Sequence, residues 1–372
     1  MLKLALFAAL ANLALSALAQ NVQLPPENTS PPPVKEWVAA IDPAKVPQAP
    51  LQPDISQPRQ CEKAKAFCHW ACDNCIREQT DFTKCPKGQW AITFDDGPTE
   101  FTPPLLDFLA KEKIKATFFV LGSKVRDHAP FLQRAFQDGH EIASHSWSHS
   151  ALTSLTNEQI IAEMKWTEIA IQQTIGVRPK YMRPPYGDID DRVRALMVLM
   201  GYKVVIWNKD TFDWRLRENK ITPAEVDGNF TQWINEAATA QTGSILLEHD
   251  HAEPSVNAAI RNLPRLAKAY KLVPLSACIG DTSVYQGVSN LAPSSSGLPT
   301  VAAPASMVAA PGASNLPSAP IVAMSIPLSL PAGAANPTAG PSAPQVPVKS
   351  SASKRMASFG AVSFLLASLM LL

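Results

Sequence analysis

Trp90-Ala91-Ile92-Thr93-Phe94-Asp95-Asp96-Gly97-Pro98 is the stretch on which the fold turns. Its first five residues read as the end of a buried strand. The strand runs into two adjacent carboxylates and a Gly-Pro turn. Adjacent acids raise one another's pKa, because each negative charge opposes the other. A cation beside them removes that cost. It leaves one carboxylate on a metal and the other free as a base. A polar turn that only closes a strand would look the same locally, so the ligands must come from elsewhere in the chain.

Outward from this strand the pattern alternates. Apolar runs at 90–94, 116–120, 141–144, 181–183, 203–207, 244–247 and 271–275 read as strands. Helices are expected near 102–112, 129–138, 157–175, 189–200, 222–240 and 255–269. Thr156-Asn157-Glu158-Gln159 and Thr222-Pro223-Ala224-Glu225 are capping boxes that start two of them. Strands alternating with helices give a parallel sheet, open or closed into a barrel. In either form, functional residues gather at the C-terminal strand ends. Asp95, His145, Arg183, the Trp207–Trp214 stretch and His249 all fall just after an expected strand.

The flanks bound the setting. Net charge is +1, which leaves no electrostatic case for nucleic acid. Lys3, an apolar run and Ala17-Leu18-Ala19 form a secretory leader that ends near Gln20. Residues 20–60 are Pro-rich, a linker or an irregular wrapping segment. Asn28-Thr29-Ser30 and Asn229-Phe230-Thr231 are glycosylation acceptors. Cys61, Cys68, Cys72, Cys75 and Cys85 cluster, and Cys72-Asp73-Asn74-Cys75 resembles half a zinc knuckle. Secretion favours disulfides instead. Only Cys278 lies far away, so one bridge joins the start of the domain to its end. From Thr282 to Val348 no residue is charged, and Ala, Pro and Ser dominate. Such a segment buries no core. Ser350-Ser351-Ala352-Ser353, a short basic spacer and an apolar tail read as a glycosylphosphatidylinositol (GPI) anchor signal, attached at Ser350, Ser351 or Ala352. A single-span anchor is the rival, with a marginally short tail.

The missing ligands lie downstream. His145-Ser146-Trp147-Ser148-His149 places two imidazoles at i and i+4, adjacent if this is a turn of helix. With Asp96 they make a His-His-Asp set that leaves open positions for water and substrate. Zinc suits the set best, and cobalt is compatible. Arg183-Pro184-Pro185-Tyr186-Gly187 is a stiff loop. Asp210-Thr211-Phe212-Asp213-Trp214 puts acids beside aromatics. Ile245-Leu246-Leu247-Glu248-His249 ends a strand on a histidine.

In this order, the five segments resemble the polysaccharide deacetylases of carbohydrate esterase family 4, the NodB-homology domain. The resemblance covers roughly residues 85–280. Leader, Cys-rich opening, Ser/Pro/Ala stalk and anchor signal look like the fungal chitin deacetylases of the cell wall. The resemblance implies an α/β fold: a distorted (β/α) barrel with disordered N- and C-terminal extensions. The expected organisation along the chain is leader 1–19, linker 20–60, Cys-rich opening plus catalytic domain 61–281, stalk 282–350 and anchor signal 351–372. Asp96, His145 and His149 would bind zinc or cobalt. Asp95 would be the general base, paired with Arg183. The Tyr186 N–H would hold the oxyanion. His249 would be the general acid, oriented by Asp213, with Asp210 the competing assignment. Trp214 and Leu247 would wall the acetyl methyl. Cys85 would pair with Cys278, leaving three connectivities for the other four cysteines. Trp147, Trp207 and Trp214 could stack on sugars, with core packing favoured for Trp207. The expected protein is a monomeric hydrolase, secreted and GPI-anchored at the cell surface or wall, that turns chitin into chitosan. Its rivals are deacetylation of peptidoglycan or acetylxylan, and a wall carbohydrate-binding protein without turnover.

Overall fold

Alternation along one strand sorts the molecule into an inner and an outer core. In the computed structural model, which describes residues 22–26 and 28–287, eleven strands occur. They are β1 (Asp81–Phe82), β2 (Gln89–Asp95), β3 (Thr117–Val120), β4 (Glu141–Ser144), β5 (Arg178–Pro179), β6 (Tyr181–Met182), β7 (Lys203–Val205), β8 (Lys209–Asp210), β9 (Ser244–His249), β10 (Lys271–Val273) and β11 (Tyr285–Gln286). Nine form one sheet in the order β1-β7-β6-β4-β3-β2-β9-β8, with β10 also beside β2. All its pairings are parallel. The sheet curls into an incomplete barrel, with β1 and β8 ending the path. β5 and β11 make a small antiparallel pair.

On β2 the side chains of Trp90, Ile92 and Phe94 join the outer core beneath the helices. Ala91 instead meets Phe119, Ala143, Tyr181, Val205 and Ile245 inside the curl. The same alternation carries Thr93 and Asp95 to the inner side. Burying each large apolar side chain contributes about 1.5–3 kcal/mol. β2 therefore anchors the sheet that positions its own polar end.

The six expected helices are present as Thr102–Glu112, Ala129–Gln137, Asn157–Ile175, Asp191–Leu199, Pro223–Asn235 and Glu253–Leu266. Both capping boxes form. The helix Gly122–Asp127 and strand β8 were not expected. Each is too short to leave a periodic pattern. No helix among the described residues is long and apolar enough to cross a membrane.

The Pro-rich block 20–60 is not a free linker over its described part. Trp166 Nε1 donates to the Pro32 carbonyl at 3.0 Å, and Arg126 Nη1 to the Pro25 carbonyl at 2.6 Å. Trp37 packs edge-on against Trp166, with ring centroids 5.2 Å apart. In this strap, proline rings take Pro25 and Pro32 out of regular backbone pairing, which leaves their carbonyls free as acceptors, and the short helix Lys35–Ala39 follows. Leader residues 1–19, the stalk from residue 288 and the anchor signal with Ser350 lie outside the described residues.

The cysteines pair as Cys61–Cys72, Cys68–Cys75 and Cys85–Cys278. The last closes a span of 193 residues. A loop that long costs the unfolded chain much entropy when closed. Replacing both Cys85 and Cys278 by Ala is expected to remove about 2–4 kcal/mol of stability, read as a lower midpoint in thermal unfolding.

Candidate active site

The carboxyl ends of β2, β4, β6, β8 and β9 open on one cleft. Register sets its first contact: on neighbouring parallel strands, Asp95 lies opposite His249. Asp96, His145 and Arg183 follow at the ends of β2, β4 and β6. The site loops are conformationally unusual. Asp96, Ser146, His149, Tyr186 and Phe212 adopt φ of +79°, +68°, +62°, +61° and +59°. Non-glycine residues hold such angles only where their surroundings over-determine them.

Asp96, His145 and His149 each offer one atom, all within 4.8 Å of one another. Asp96 Oδ1 is 3.2 Å from His149 Nε2 and 3.5 Å from His145 Nε2. Ligands about 2.0–2.1 Å from a tetrahedral cation stand roughly 3.3 Å apart, so the trio fits one. Asp96 Oδ1 is buried with no hydrogen-bond partner among the described residues. A cation would satisfy it. Burial pushes the His145 ring down to about 3, with His149 adding to the effect. The ring is therefore neutral. His145 Nδ1 donates to the Arg183 carbonyl at 2.8 Å, which leaves Nε2 with its lone pair toward Asp96. Burial opposes charge on Asp96, but the facing imidazoles, His149 first, outweigh it and hold the carboxyl below its usual range.

The expected helix turn at His145–His149 is absent; this is an irregular loop. Positive φ at Ser146 and His149 breaks any helix. Glu163, buried in the helix Asn157–Ile175, organises the loop instead. Its Oε2 accepts from the Trp147 and Ser148 backbone N–H groups at 2.8 and 2.9 Å, and its Oε1 accepts from the Ser148 hydroxyl at 2.6 Å. Trp147 is fully buried and does not reach the cleft. Glu163 was not identified from sequence, because a mid-helix glutamate carries no sign of what it faces.

The other acid has a different environment. Arg183, fully buried, donates through Nη1 to Asp95 Oδ1 at 2.7 Å and to Thr93 Oγ1 at 2.8 Å. Its guanidinium lies over the Phe119 ring, 4.2 Å from the centroid. Burial pushes Asp95 up to about 7, with Arg183 acting against that rise. Across the cleft, His249 Nδ1 bonds Asp213 Oδ1 at 2.7 Å, and the His249 backbone N–H donates to Asp213 Oδ2 at 2.9 Å. Burial disfavours a charged His249, but Asp213 beside it prevails and raises the ring to about 10. Asp210 instead accepts from the Phe212 N–H at 2.7 Å. Asp213 is therefore the partner of His249, and Asp210 closes a turn.

The cleft encloses about 620 Å³. Tyr186, Trp207, Trp214 and Leu247 line it. Trp214 and Tyr186 are 40% and 44% exposed, enough to meet a ligand face. Trp207, expected in the core, is half-buried and forms part of the cleft wall. His251 and Arg217 also line the cleft and were missed; two residues past a strand end, a histidine reads as loop. Asn28 is exposed. Asn229 lies inside the helix Pro223–Asn235, half-buried, and its Nδ2 donates to the Thr211 carbonyl at 3.3 Å. That bond uses the nitrogen a glycan would occupy.

Comparison with known proteins agrees with this geometry. The polysaccharide deacetylase family model matches residues 83–205. The chain is 42% identical to chitin deacetylase 1 of Cryptococcus neoformans, over 70% of this chain and 58% of the relative. It is 36% identical to chitin deacetylase 1 of Saccharomyces cerevisiae, over 68% of this chain and 86% of the relative. The chain thus spans little more than half of the first of these proteins. The solved chitin deacetylase of Colletotrichum lindemuthianum superposes with a TM-score of 0.51 at 30% identity, covering 58% of this chain and 99% of that one.

Glu163→Ala would release two backbone donors and the loop that carries both histidines. Loss of such an outer partner weakens metal sites by about 10–100-fold. A Zn²⁺ titration of the purified variant against a chromophoric chelator is expected to show that weakening.

Proposed function

We propose, on the premise that the chain belongs to the polysaccharide deacetylase family, that it hydrolyses the N-acetyl groups of chitin and releases acetate. The observation that carries this reading is one pairing of opposites. A carboxylate held by an arginine and an imidazole held by a carboxylate flank a three-ligand cation site. Amide hydrolysis needs those parts: a base, an acid and a stabilised oxyanion.

Asp96, His145 and His149 would hold a divalent cation; zinc suits two nitrogens and one oxygen, and cobalt is compatible. When bound, the cation supplies Lewis-acid chemistry, acidifying a water and drawing charge from the acetyl carbonyl. The chain's own groups divide the remaining steps. Asp95, with Oδ1 held by Arg183, accepts the proton of the attacking water. The Tyr186 backbone N–H donates to the carbonyl oxygen as it becomes negative, a contribution of about 3 kcal/mol. His249, held at Nδ1 by Asp213, gives its Nε2 proton to the departing nitrogen. The C–N bond breaks, leaving a free amine on the sugar and acetate in the cleft. Trp214 and Leu247 wall the acetyl methyl.

A second depression of about 640 Å³ shares Asp96, His149, Arg217 and His251 with the cleft. This continuity supports a chain-shaped substrate that runs past the reacting unit. The chitin deacetylase names of the fungal relatives support the polymer's identity. The leader and the tail from Ser350 support a GPI-anchored enzyme at the cell surface or wall.

The test is acetate release from an N-acetylglucosamine pentamer. Zinc-loaded protein is expected to release it and a chelator to stop it; release from peptidoglycan or acetylxylan alone would replace the substrate. Asp95→Asn is expected to lower kcat by about 10²–10⁴-fold with zinc content unchanged. The pH profile carries its own signature. Asp95 must be ionised and His249 protonated, so the rate falls on the acid side with Asp95 and on the alkaline side with His249. Asp213→Asn removes the charge that raises the His249 pKa. Its alkaline limb is expected to move to lower pH by about one to three units.

A further inference from the structure

The Cys-rich opening, residues 61–75, lies before the residues that the family model matches. It nevertheless packs behind residues that line the cleft. Two disulfides clamp its short helices Cys61–Ala64 and Trp70–Asp73. From this staple His69 and Trp70 point into the domain, against the turn that carries Tyr186.

The contacts are dense and specific. The Trp70 backbone N–H donates to the Ile189 carbonyl at 3.0 Å. The His69 ring, fully buried, sits 3.4 Å from Asp188 Oδ1 and 3.3 Å from Thr153 Oγ1 through Nε2. Arg59 adds a charge to Asp188 Oδ1 at 3.1 Å. The other Asp188 oxygen accepts from the Thr153 N–H and hydroxyl at 2.8 and 2.7 Å. Asp188 is thus tied to two segments before the matched region and to one inside it.

Trp70 touches one residue of the cleft wall, Trp207, and the neighbour of another, Gly187 beside Tyr186. A Cβ on Gly187 would lie 2.1 Å from a Trp70 ring carbon, so the indole rests directly on the backbone at residue 187. Only glycine fits there, and its φ is +65°. Tyr186, one residue earlier, holds φ +61° without being glycine. The same indole meets the Trp207 ring edge-on, with centroids 4.8 Å apart. Tyr186 and Trp207 both line the cleft.

We propose that the stapled segment is a positioning element of the active site, with Trp70 fixing the Tyr186 turn and the Trp207 wall at once. The inference rests on the reading of the Tyr186 N–H as oxyanion donor. It adds that this donor is aimed by residues outside the matched family region. A misplacement near 1 Å can cost about 10²-fold in rate, and Trp70 is the group whose removal opens that space.

The experiment compares the full chain with Trp70→Ala, Trp70→Phe and, as a control, Trp37→Ala. Trp37 is another packed tryptophan, on the strap rather than at the turn. Acetate release gives kcat and KM; hydrogen exchange gives the protection of the Gly187 and Asp188 amides, which bond the Pro184 and Pro185 carbonyls. Trp70→Ala is expected to lower kcat by about 10²-fold with little change in KM, and to speed exchange at both amides. Trp70→Phe should restore most of both. Trp37→Ala should lower the melting temperature alone. Should the alanine variant not fold, Trp70→Leu replaces it with the same expectations. Unchanged exchange, or faster exchange with unchanged kcat, overturns the proposal. If wild type releases no acetate from the pentamer, the substrate reading fails instead, and exchange alone decides whether Trp70 holds the turn.

Discussion

Two carboxylates on consecutive residues at the buried end of one strand create a charge problem, and the surrounding structure is arranged around it. Unit charges 4 Å apart repel by about 4 kcal/mol at an effective dielectric near 20. Asp95 and Asp96 are relieved by different means. Asp95 turns inward with the strand's alternation and meets Arg183, which reaches it from the end of β6. Asp96 swings into the left-handed region and meets His145 and His149. Breaking a buried pair such as Asp95–Arg183 leaves an unpaired charge, at a cost of about 3–5 kcal/mol. β2 and β6 are therefore bound by chemistry as well as by packing.

The parallel sheet makes this economy possible. Every strand of it delivers its carboxyl end to the same rim, so Asp95 and His249, 154 positions apart in sequence, become neighbours. The register that pairs Ile92 with Leu246 in the core also pairs Asp95 with His249 at the rim. A slip of one residue would turn His249 away and bury a different set of side chains. The hydrophobic core thereby enforces the spacing of the polar groups above it. Outside the sheet, buried acids extend the control: Glu163 shapes the histidine loop, Asp213 holds His249, and Asp188 ties the Tyr186 turn to the Cys-rich opening.

Much of the site was legible along the chain. Asp95, His145, Arg183 and His249 each fall just after an expected strand, and an apolar run followed by a polar residue marks a strand end. Their order identified the family. The helices announced themselves through periodicity and caps, as at Thr156 and Thr222. Less was legible where a residue type has several uses. A pair of histidines at i and i+4 suggests a helix, but positive φ at Ser146 and His149 makes a loop that brings their Nε2 atoms to the same Asp96 oxygen. Of the two acids near Trp214, Asp213 was assigned to His249 through the family resemblance with Asp210 competing, and the turn after β8 shows why: Asp213 bonds His249 while Asp210 accepts from the Phe212 N–H.

The sequence by itself determined which elements form and which chemistry they carry. Apolar period, caps and the identities of the ionisable groups are local properties, set by neighbouring side chains and the backbone. The tertiary structure alone decided who faces whom. That Glu163 anchors the histidine loop, that Trp70 sits beneath Gly187 and that a Pro-rich stretch is a strap depend on contacts between residues far apart in the chain. Such contacts leave no periodic trace, because their geometry exists only after the sheet has curled and brought its strand ends together.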